Sequence, residues 1–249
     1  MNNGLLPGLV FVLVFGCFMA VFSFLGRKKL PFHLREITAF ARLGRAIGLS
    51  VEAGTRLHLS IGRSSIINPE GASALVGLSA LERIGKVSLF SDKPPMASSG
   101  DNTLAILSQD VLRDVFRSIK AESKFDPAMG RLTGLTPFSY AAGVIPVFID
   151  EKVSTNVLIG HFGSEAALIL DAAERAGSIS LAGSDNIPAQ AVLYAGAQEP
   201  IIGEEIFATG AYLNAGMMHT NSVLVQDIAR WVLILIICGG AILKMLGVI

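Results

Sequence analysis

The 249-residue chain is 51% hydrophobic and carries 20 basic and 20 acidic side chains. This balance excludes the strongly basic domain that nucleic-acid binding requires, so no nucleic-acid partner is expected. The two cysteines, Cys17 and Cys238, lie in apolar stretches near the ends of the chain, which excludes a disulfide framework.

The first feature along the chain is an apolar stretch from Leu5 to Leu25, 21 residues without a charged side chain. At about 1.5 Å per residue, such a helix crosses the roughly 30 Å hydrocarbon layer of a membrane. Basic residues follow the stretch and no small-residue cleavage site ends it, so it predicts a retained transmembrane helix at residues 1–26 rather than a signal peptide. A second stretch, Trp231 to Ile249, predicts another transmembrane helix at residues 228–249.

The orientation of these helices is indicated by the basic residues Arg27, Lys28, Lys29 and Arg35. Positive residues flank membrane spans on the cytoplasmic side, so residues 27–230 are expected in the cytoplasm. The predicted location is the cell (inner) membrane with both termini outside. The same four side chains can contact anionic lipid headgroups, and the lipid bilayer is therefore an expected partner.

Charge is segregated along the chain. Residues 27–63 carry eight Lys or Arg against two Glu, whereas residues 150–227 carry ten Asp or Glu against two Lys or Arg. Topology and lipid contact explain the basic segment, and head-to-tail pairing between copies is the alternative. Small residues in both apolar stretches also permit close helix contact, so a homo-oligomer is expected.

Helix and strand patterns alternate between the two apolar stretches. A basic juxtamembrane helix is predicted within residues 27–54, a first βαβα half at 55–125 and a connecting segment at 126–152. The first half comprises a strand over Arg56–Gly62, a helix from Asn68 to Arg83, a strand over Val87–Phe90 and a helix over Thr103–Lys120. In the connecting segment, Thr136-Pro137 predicts the start of an apolar helix that packs in the core.

The second half, residues 153–227, resembles the first. Residues 71–89 align without a gap on residues 163–181, and both contain Glu-Arg-x-Gly followed by a Ser-Leu pair. We therefore predict an internally duplicated βαβα domain. Strands separated by helices favour parallel pairing, so the predicted fold class is α/β, a doubly wound and mostly parallel sheet, cytoplasmic and flanked by one transmembrane helix at each end.

Polar loops follow the predicted strands and are expected to meet at one edge of the sheet, where open α/β folds bind ligands. The candidate ligand-binding residues in these loops are Ser99, Asp101, Gly160, His161, Gly163, Ser184, Asp185 and Asn186. His161 has the one plausible catalytic position, paired with Asp185, although a histidine that only hydrogen-bonds in its loop is the commoner case. The loop before Glu165 leads into a helix and can hold an anion, but that carboxylate would repel a phosphate.

No catalytic motif accompanies these loops. The chain contains neither a nucleophile elbow, a phosphate-binding lysine loop, a zinc-protease helix motif nor a dinucleotide-binding glycine motif, and no two histidines have metal-ligand spacing. We therefore expect no metal and no cofactor. The leading interpretation is a non-enzymatic, membrane-anchored scaffold or accessory protein that self-associates. The alternatives are a tethered small-molecule-sensing or enzymatic domain and a subunit of an oligomeric pore or transporter.

Several stretches resemble a known family: Ser91–Asp110, Gly130–Gly143, Val153–Gly177, Leu181–Asn186 and Ala197–Leu213. Together with the terminal spans, they make nearly the whole chain similar to an uncharacterised prokaryotic integral-membrane family, described only as a domain of unknown function. The resemblance implies a membrane protein of this layout and supplies no activity, substrate or site residue.

Overall fold

The structure is a computed structural model that describes residues 5–25, 34–88 and 91–246. It divides into two units, of which one is Arg35–Ala215 and the other combines Met1–Leu34 with Gly216–Ile249. The first unit contains the sheet and its covering helices. The second contains the two terminal helices.

Between the two terminal helices, helices and strands alternate along the chain. In chain order, the elements are α1 (Leu5–Leu25), α2 (Thr38–Glu52), β1 (Arg56–Gly62), α3 (Gly71–Ser88), β2 (Met96–Ser99), α4 (Asn102–Ser118), β3 (Gly130–Leu132), α5 (Pro137–Asp150), β4 (Val153–His161), α6 (Ala166–Arg175), β5 (Ile179–Ser184), α7 (Ile187–Gly196), β6 (Glu199–Ile201), α8 (Thr209–Tyr212) and α9 (Met217–Met245).

Six strands form a sheet in the order β3-β2-β1-β4-β5-β6, and every neighbouring pair is parallel. From β1 the chain proceeds to one edge of the sheet, returns to the centre at β4 and proceeds to the other edge. This is a doubly wound order with its switch point between β1 and β4. The predicted α/β class with a parallel sheet is confirmed.

Each half of the domain has the order βαβαβ, so the predicted βαβα units each lacked one strand. The missed strands, β3 and β6, have three residues each and are too short to produce an alternating pattern. The strand predicted at Val87–Phe90 is wrong, because Val87 and Ser88 end α3 while Leu89 and Phe90 lie outside the described residues. Since Ser88 is helical and Ser180 lies in β5, the aligned segments differ in structure at their ends, and the duplication stays a prediction.

Helices cover both faces of the sheet. One core packs α2, α3 and α4 against side chains such as Ile61 and Ile159, and the other packs α5, α6 and α7 against Leu158, Phe162 and Ala182. Successive strand residues point to opposite faces, so Leu158 and Ile159 enter different cores. Burial on both faces is typical of parallel sheets and explains the apolar strand sequences.

The helix predicted from Thr136-Pro137 is confirmed as α5. The Thr136 hydroxyl accepts a hydrogen bond from the backbone N–H of Ser139, whose own hydroxyl accepts from the backbone N–H of Thr136. This reciprocal cap and the proline in the first turn fix the start of the helix. One face of the helix, including Tyr140 and Phe148, is buried in the core as expected, whereas Phe138 and Ile149 at its two ends are exposed.

The terminal unit contains α1 and α9. Helix α9 has 29 residues, exposes apolar side chains from Trp231 onwards and is long and apolar enough to cross a membrane. Within the described part of the chain it is the one helix that meets this requirement, because the part of α1 that counts as an apolar helix, Gly8–Ser23, is shorter. A pair of flanking spans is therefore not shown, and the N-terminal span stays a prediction.

Candidate functional site

All eight candidate residues lie at the edge of the sheet where the parallel strands end, hereafter the carboxyl edge. Ser99 and Ser184 are the last residues of β2 and β5, Gly160 and His161 end β4, and Asp101, Gly163, Asp185 and Asn186 follow in the adjoining loops. The parallel topology therefore brings together loops that lie far apart in sequence.

His161 and Asp185 form a hydrogen-bonded pair. Imidazole Nδ1 lies 2.8 Å from carboxylate Oδ1, and the two side chains retain 22% and 17% of their exposure. Because the carboxylate only accepts, Nδ1 carries a proton, and in the neutral form of the ring Nε2 is left as an acceptor. The arrangement suits recognition of a hydroxyl or amine on a ligand, or removal of its proton.

Ser184 and Asn186 join the loops that carry this pair. The Ser184 hydroxyl accepts hydrogen bonds from the backbone N–H of Phe162 (3.2 Å) and of Asn186 (3.3 Å). The Asn186 side-chain amide donates to the carbonyl of Phe162 at 2.8 Å. These two candidates therefore position the loops after β4 and β5, which fixes His161 opposite Asp185.

Ser99 and Asp101 are engaged in local structure at the end of β2. The Ser99 hydroxyl donates weakly to the carbonyls of Asp101 (3.3 Å) and Arg131 (3.4 Å). The Asp101 carboxylate caps α4 by accepting from the backbone N–H of Leu104 at 3.1 Å. Caps of this kind stabilise a helix by about 1 kcal/mol. The structure thus gives both residues a role in folding.

The two candidate glycines have packing roles. A Cβ on Gly160 would lie 1.8 Å from the carbonyl oxygen of Ile61 in β1, and a Cβ on Gly163 would lie 2.5 Å from Oε2 of Glu165. Neither position has room for a side chain. The glycines therefore permit the close approach of neighbouring groups at the switch point.

An ion pair that the sequence did not indicate lies at the switch point. Nε of Arg63, directly after β1, donates to Oε1 of Glu165 at 2.8 Å, and the same oxygen accepts from the backbone N–H of Gly163 at 3.0 Å. The Glu165 side chain is only 2% exposed. Burial by itself would raise the pKa of this carboxyl, but the hydrogen bonds from Arg63 and the backbone outweigh it and lower the pKa.

The end of β1 is tied to both neighbouring strands. Gly62 has a φ of 81°, a conformation that favours glycine, and its carbonyl accepts from the backbone N–H of Gly100 at 2.9 Å. The backbone N–H of Arg63 donates to the carbonyl of His161 at 3.1 Å. The register also shifts here, since Ser60 pairs with Leu158 but Gly62 pairs with His161. Such bulges re-aim the chain next to functional sites.

A row of buried polar side chains crosses four strands beneath this edge. Nε2 of His58 lies 2.8 Å from the Ser98 hydroxyl, Nδ1 lies 2.9 Å from Oδ1 of Asn156, and the Asn156 amide reaches the Ser180 hydroxyl at 3.5 Å. Burial lowers the pKa of His58 to about 4, opposed by the Asn156 hydrogen bond and assisted by the Arg131 charge. The imidazole is therefore neutral at pH 7. His58 lies within the strand predicted at Arg56–Gly62, but the sequence did not indicate this row.

Tyr140 connects this row to the switch point. Its hydroxyl contacts the Ser60 hydroxyl, donates to the carbonyl of Ser98 at 3.3 Å and accepts from the backbone N–H of Gly62 at 3.3 Å. Burial raises the pKa of the phenol to about 12, against the effect of its hydrogen bonds, so Tyr140 is neutral. Through Tyr140, helix α5 thus helps to hold the end of β1 in position.

A separate groove of about 430 Å³ lies beside α2, at the amino ends of β4, β5 and β6. Its surface is mostly apolar, with the exposed Leu49 and Ile179 on its walls and an ion pair between Arg42 and Glu199 at its rim. In the part of the chain that the structure describes, no three His, Cys, Asp or Glu side chains gather as metal ligands. The carboxyl edge, with its paired titratable groups, is the better candidate site.

Of the predicted lipid-contacting residues, Arg27, Lys28 and Lys29 lie outside the described residues. Arg35 is exposed and forms an ion pair with Glu205, a partner within the domain. Its charge is therefore partly compensated locally, which weakens its expected contribution to lipid contact.

A family model described as Domain of unknown function (DUF6754) matches residues 1–249, the whole chain. The predicted resemblance to a family without a described function is thereby confirmed. Comparison with curated proteins gives no match, and comparison with solved structures gives none either. The chemistry of the carboxyl edge is therefore the guide to function.

Proposed function

We propose that this member of the family described as Domain of unknown function (DUF6754) is a membrane-tethered α/β domain that binds a small molecule at its carboxyl edge. The observation that carries the proposal is the hydrogen-bonded pair of His161 and Asp185, partly exposed where β4 and β5 end. The proposal corresponds to the alternative of a tethered small-molecule-sensing or enzymatic domain, which the sequence had also left open.

The topology supports a ligand at this edge. In open parallel sheets, ligands bind outside the carboxyl ends of the strands at the switch point, because the connections from the two central strands turn to opposite faces. Here α3 follows β1 and packs in one core, while α6 follows β4 and packs in the other. The loops after β1 and β4 thus diverge above the sheet, next to His161.

A ligand screen on the purified full chain tests this proposal. We expect at least one nucleotide or metabolite to raise the thermal midpoint, by roughly 5–10 °C when it is present at a hundredfold excess over its Kd. Replacing both members of the pair, His161→Ala with Asp185→Ala, should abolish the shift because the acceptor and the group that orients it are both lost.

The matched control is His219→Ala, which removes a histidine of α9 and should leave the shift unchanged. A screen without any stabilising ligand would contradict the proposal, as would a ligand whose shift survives in the double variant.

We also propose that α1 and α9 both anchor the chain, with residues 27–230 in the cytoplasm and both termini outside. The apolar, exposed surface of α9 supports one anchor, and exposed side chains such as Leu9 and Phe11 support the other. In bacterial spheroplasts, added protease should leave the central domain intact. Replacing Arg27, Lys28 and Lys29 with Ser should expose it to cleavage, because orientation follows these charges. Cleavage of the unaltered domain from outside would overturn this topology.

The scaffold role remains compatible with this proposal and stays a prediction. Self-association and the pore-subunit alternative stay predictions as well. A ligand-binding domain on a membrane anchor can serve an accessory role, so the two interpretations differ only in whether the carboxyl edge is occupied.

A further inference from the structure

Ser64, two residues beyond the end of β1, carries a buried hydroxyl without a hydrogen bond. The residue is 3% exposed, and its Oγ has no partner among the residues that the structure describes. Buried polar groups are nearly always hydrogen-bonded, since burial without a partner costs free energy. An unsatisfied hydroxyl at a switch point is therefore a group that a ligand can satisfy.

Arg63, the preceding residue, has a guanidinium that is held in place through Nε, while its terminal nitrogens remain available as donors. Its Nε donates to Glu165, and Glu165 is fixed in turn by the backbone N–H of Gly163. In the described part of the chain, Nη1 and Nη2 make no further hydrogen bond, and the side chain is 21% exposed. A guanidinium fixed through Nε can present its two terminal nitrogens to an acceptor.

The ion pair also changes the expected role of Glu165. The sequence indicated a carboxylate that would repel an anion at the start of α6. In the structure, its charge is compensated by Arg63, and its Oε1 accepts the backbone N–H that an anion would otherwise use. An anion is therefore better placed against Arg63 and Ser64 than at the start of this helix.

We propose that the ligand of the carboxyl edge carries an oxyanion, a phosphate or a carboxylate, bound after β1 by the Arg63 guanidinium and the Ser64 hydroxyl. Both residues directly follow β1, and a planar guanidinium matches a carboxylate or phosphate with two parallel hydrogen bonds. This inference rests on the proposed function and assigns a chemical class to the ligand of that same site.

The test uses the purified full chain with inorganic phosphate and, separately, acetate as probes, at constant ionic strength set with chloride. At least one probe should raise the thermal midpoint. Ser64→Ala should weaken its binding about tenfold, the loss of one hydrogen bond to a charged group. Arg63→Lys should weaken it further, because lysine keeps the charge but loses the planar fork.

A second readout distinguishes a ligand contact from a folding role. Without any probe, Ser64→Ala should raise the midpoint, because it removes an unsatisfied buried hydroxyl. The matched control is Ser108→Ala, since that buried hydroxyl donates to the Ala105 carbonyl at 2.8 Å. This control should not raise the midpoint and should retain the full response to the probe.

The inference is overturned if neither probe shifts the midpoint, or if Ser64→Ala lowers the midpoint and keeps the full response. Its failure is distinguishable from failure of the proposed function. Suppose that a screened ligand loses its shift in the His161→Ala, Asp185→Ala double variant but keeps it in Ser64→Ala and Arg63→Lys. That result would support ligand binding at the carboxyl edge and contradict oxyanion binding by Arg63 and Ser64.

Discussion

Lowering the pH from 7 to 4 should cost the domain roughly 3 kcal/mol of unfolding free energy through His58 alone. The His58 ring is buried and packs against Phe148 in a T-shaped arrangement, with the two ring centroids 5.6 Å apart. Nδ1 donates to the Asn156 carbonyl oxygen, so Nε2 accepts from the Ser98 hydroxyl. Protonation of Nε2 would break that second bond and place a charge in the core.

The direction of the effect follows from the two pKa values of His58. The pKa is 6.5 in the unfolded chain and about 4 in the folded domain, so between these values the unfolded chain binds more protons. Stability from this residue is complete above pH 6.5, falls as the pH decreases and levels off below about 4. The slope in this window is about 1.4 kcal/mol per pH unit.

Chemical denaturation of the purified chain between pH 7.5 and 4.5 measures the slope. His58→Gln should flatten it, because glutamine cannot titrate. Imidazole NMR provides an independent measurement in the unaltered protein, where the His58 resonance should not titrate above pH 5. An equal slope in His58→Gln and the unaltered chain would assign the pH dependence to other groups.

The sequence predicted the fold best where a pattern repeats over many residues. The strand Arg56–Gly62 and the α5 start at Thr136-Pro137 agree with the structure, because alternation and capping are local signals. The second strand failed for a physical reason. Val87 and Ser88 extend an Ala-rich helix by another turn, whereas the true strand, Met96–Ser99, has four small or flexible residues and little strand propensity.

The candidate residues lie at the edge of the sheet that the sequence indicated, and ligand binding there stays a prediction. Strand-end loops indicated the carboxyl edge, and the pairing of His161 with Asp185 was anticipated because their strands were expected to be neighbours. The pair of Arg63 and Glu165 requires β1 beside β4, a crossing of the chain that no local pattern encodes. The polar row through His58 needed the same knowledge of strand order.

Gly160→Ala should be the most damaging small substitution in the sheet. The added Cβ would lie 1.8 Å from the carbonyl oxygen and 2.6 Å from the carbonyl carbon of Ile61, and this obstacle is the backbone of a central strand. It cannot move without separating β1 from β4 at the switch point. We expect a loss of about 3 kcal/mol of unfolding free energy, the upper part of the range for overpacked cores.

Gly48→Ala is the matched control, since it adds the same methyl group at an exposed position of α2, where no heavy atom beyond the neighbouring residues and the helix's own backbone lies within 4 Å. Replacing glycine inside a helix restricts the unfolded chain, so this variant should gain about 0.5–1 kcal/mol. Opposite signs for one chemical change would show that contact with Ile61, rather than loss of glycine flexibility, determines the effect at Gly160. Equal effects at the two positions would contradict the close approach of β1 and β4, and with it the switch-point geometry on which the candidate site depends.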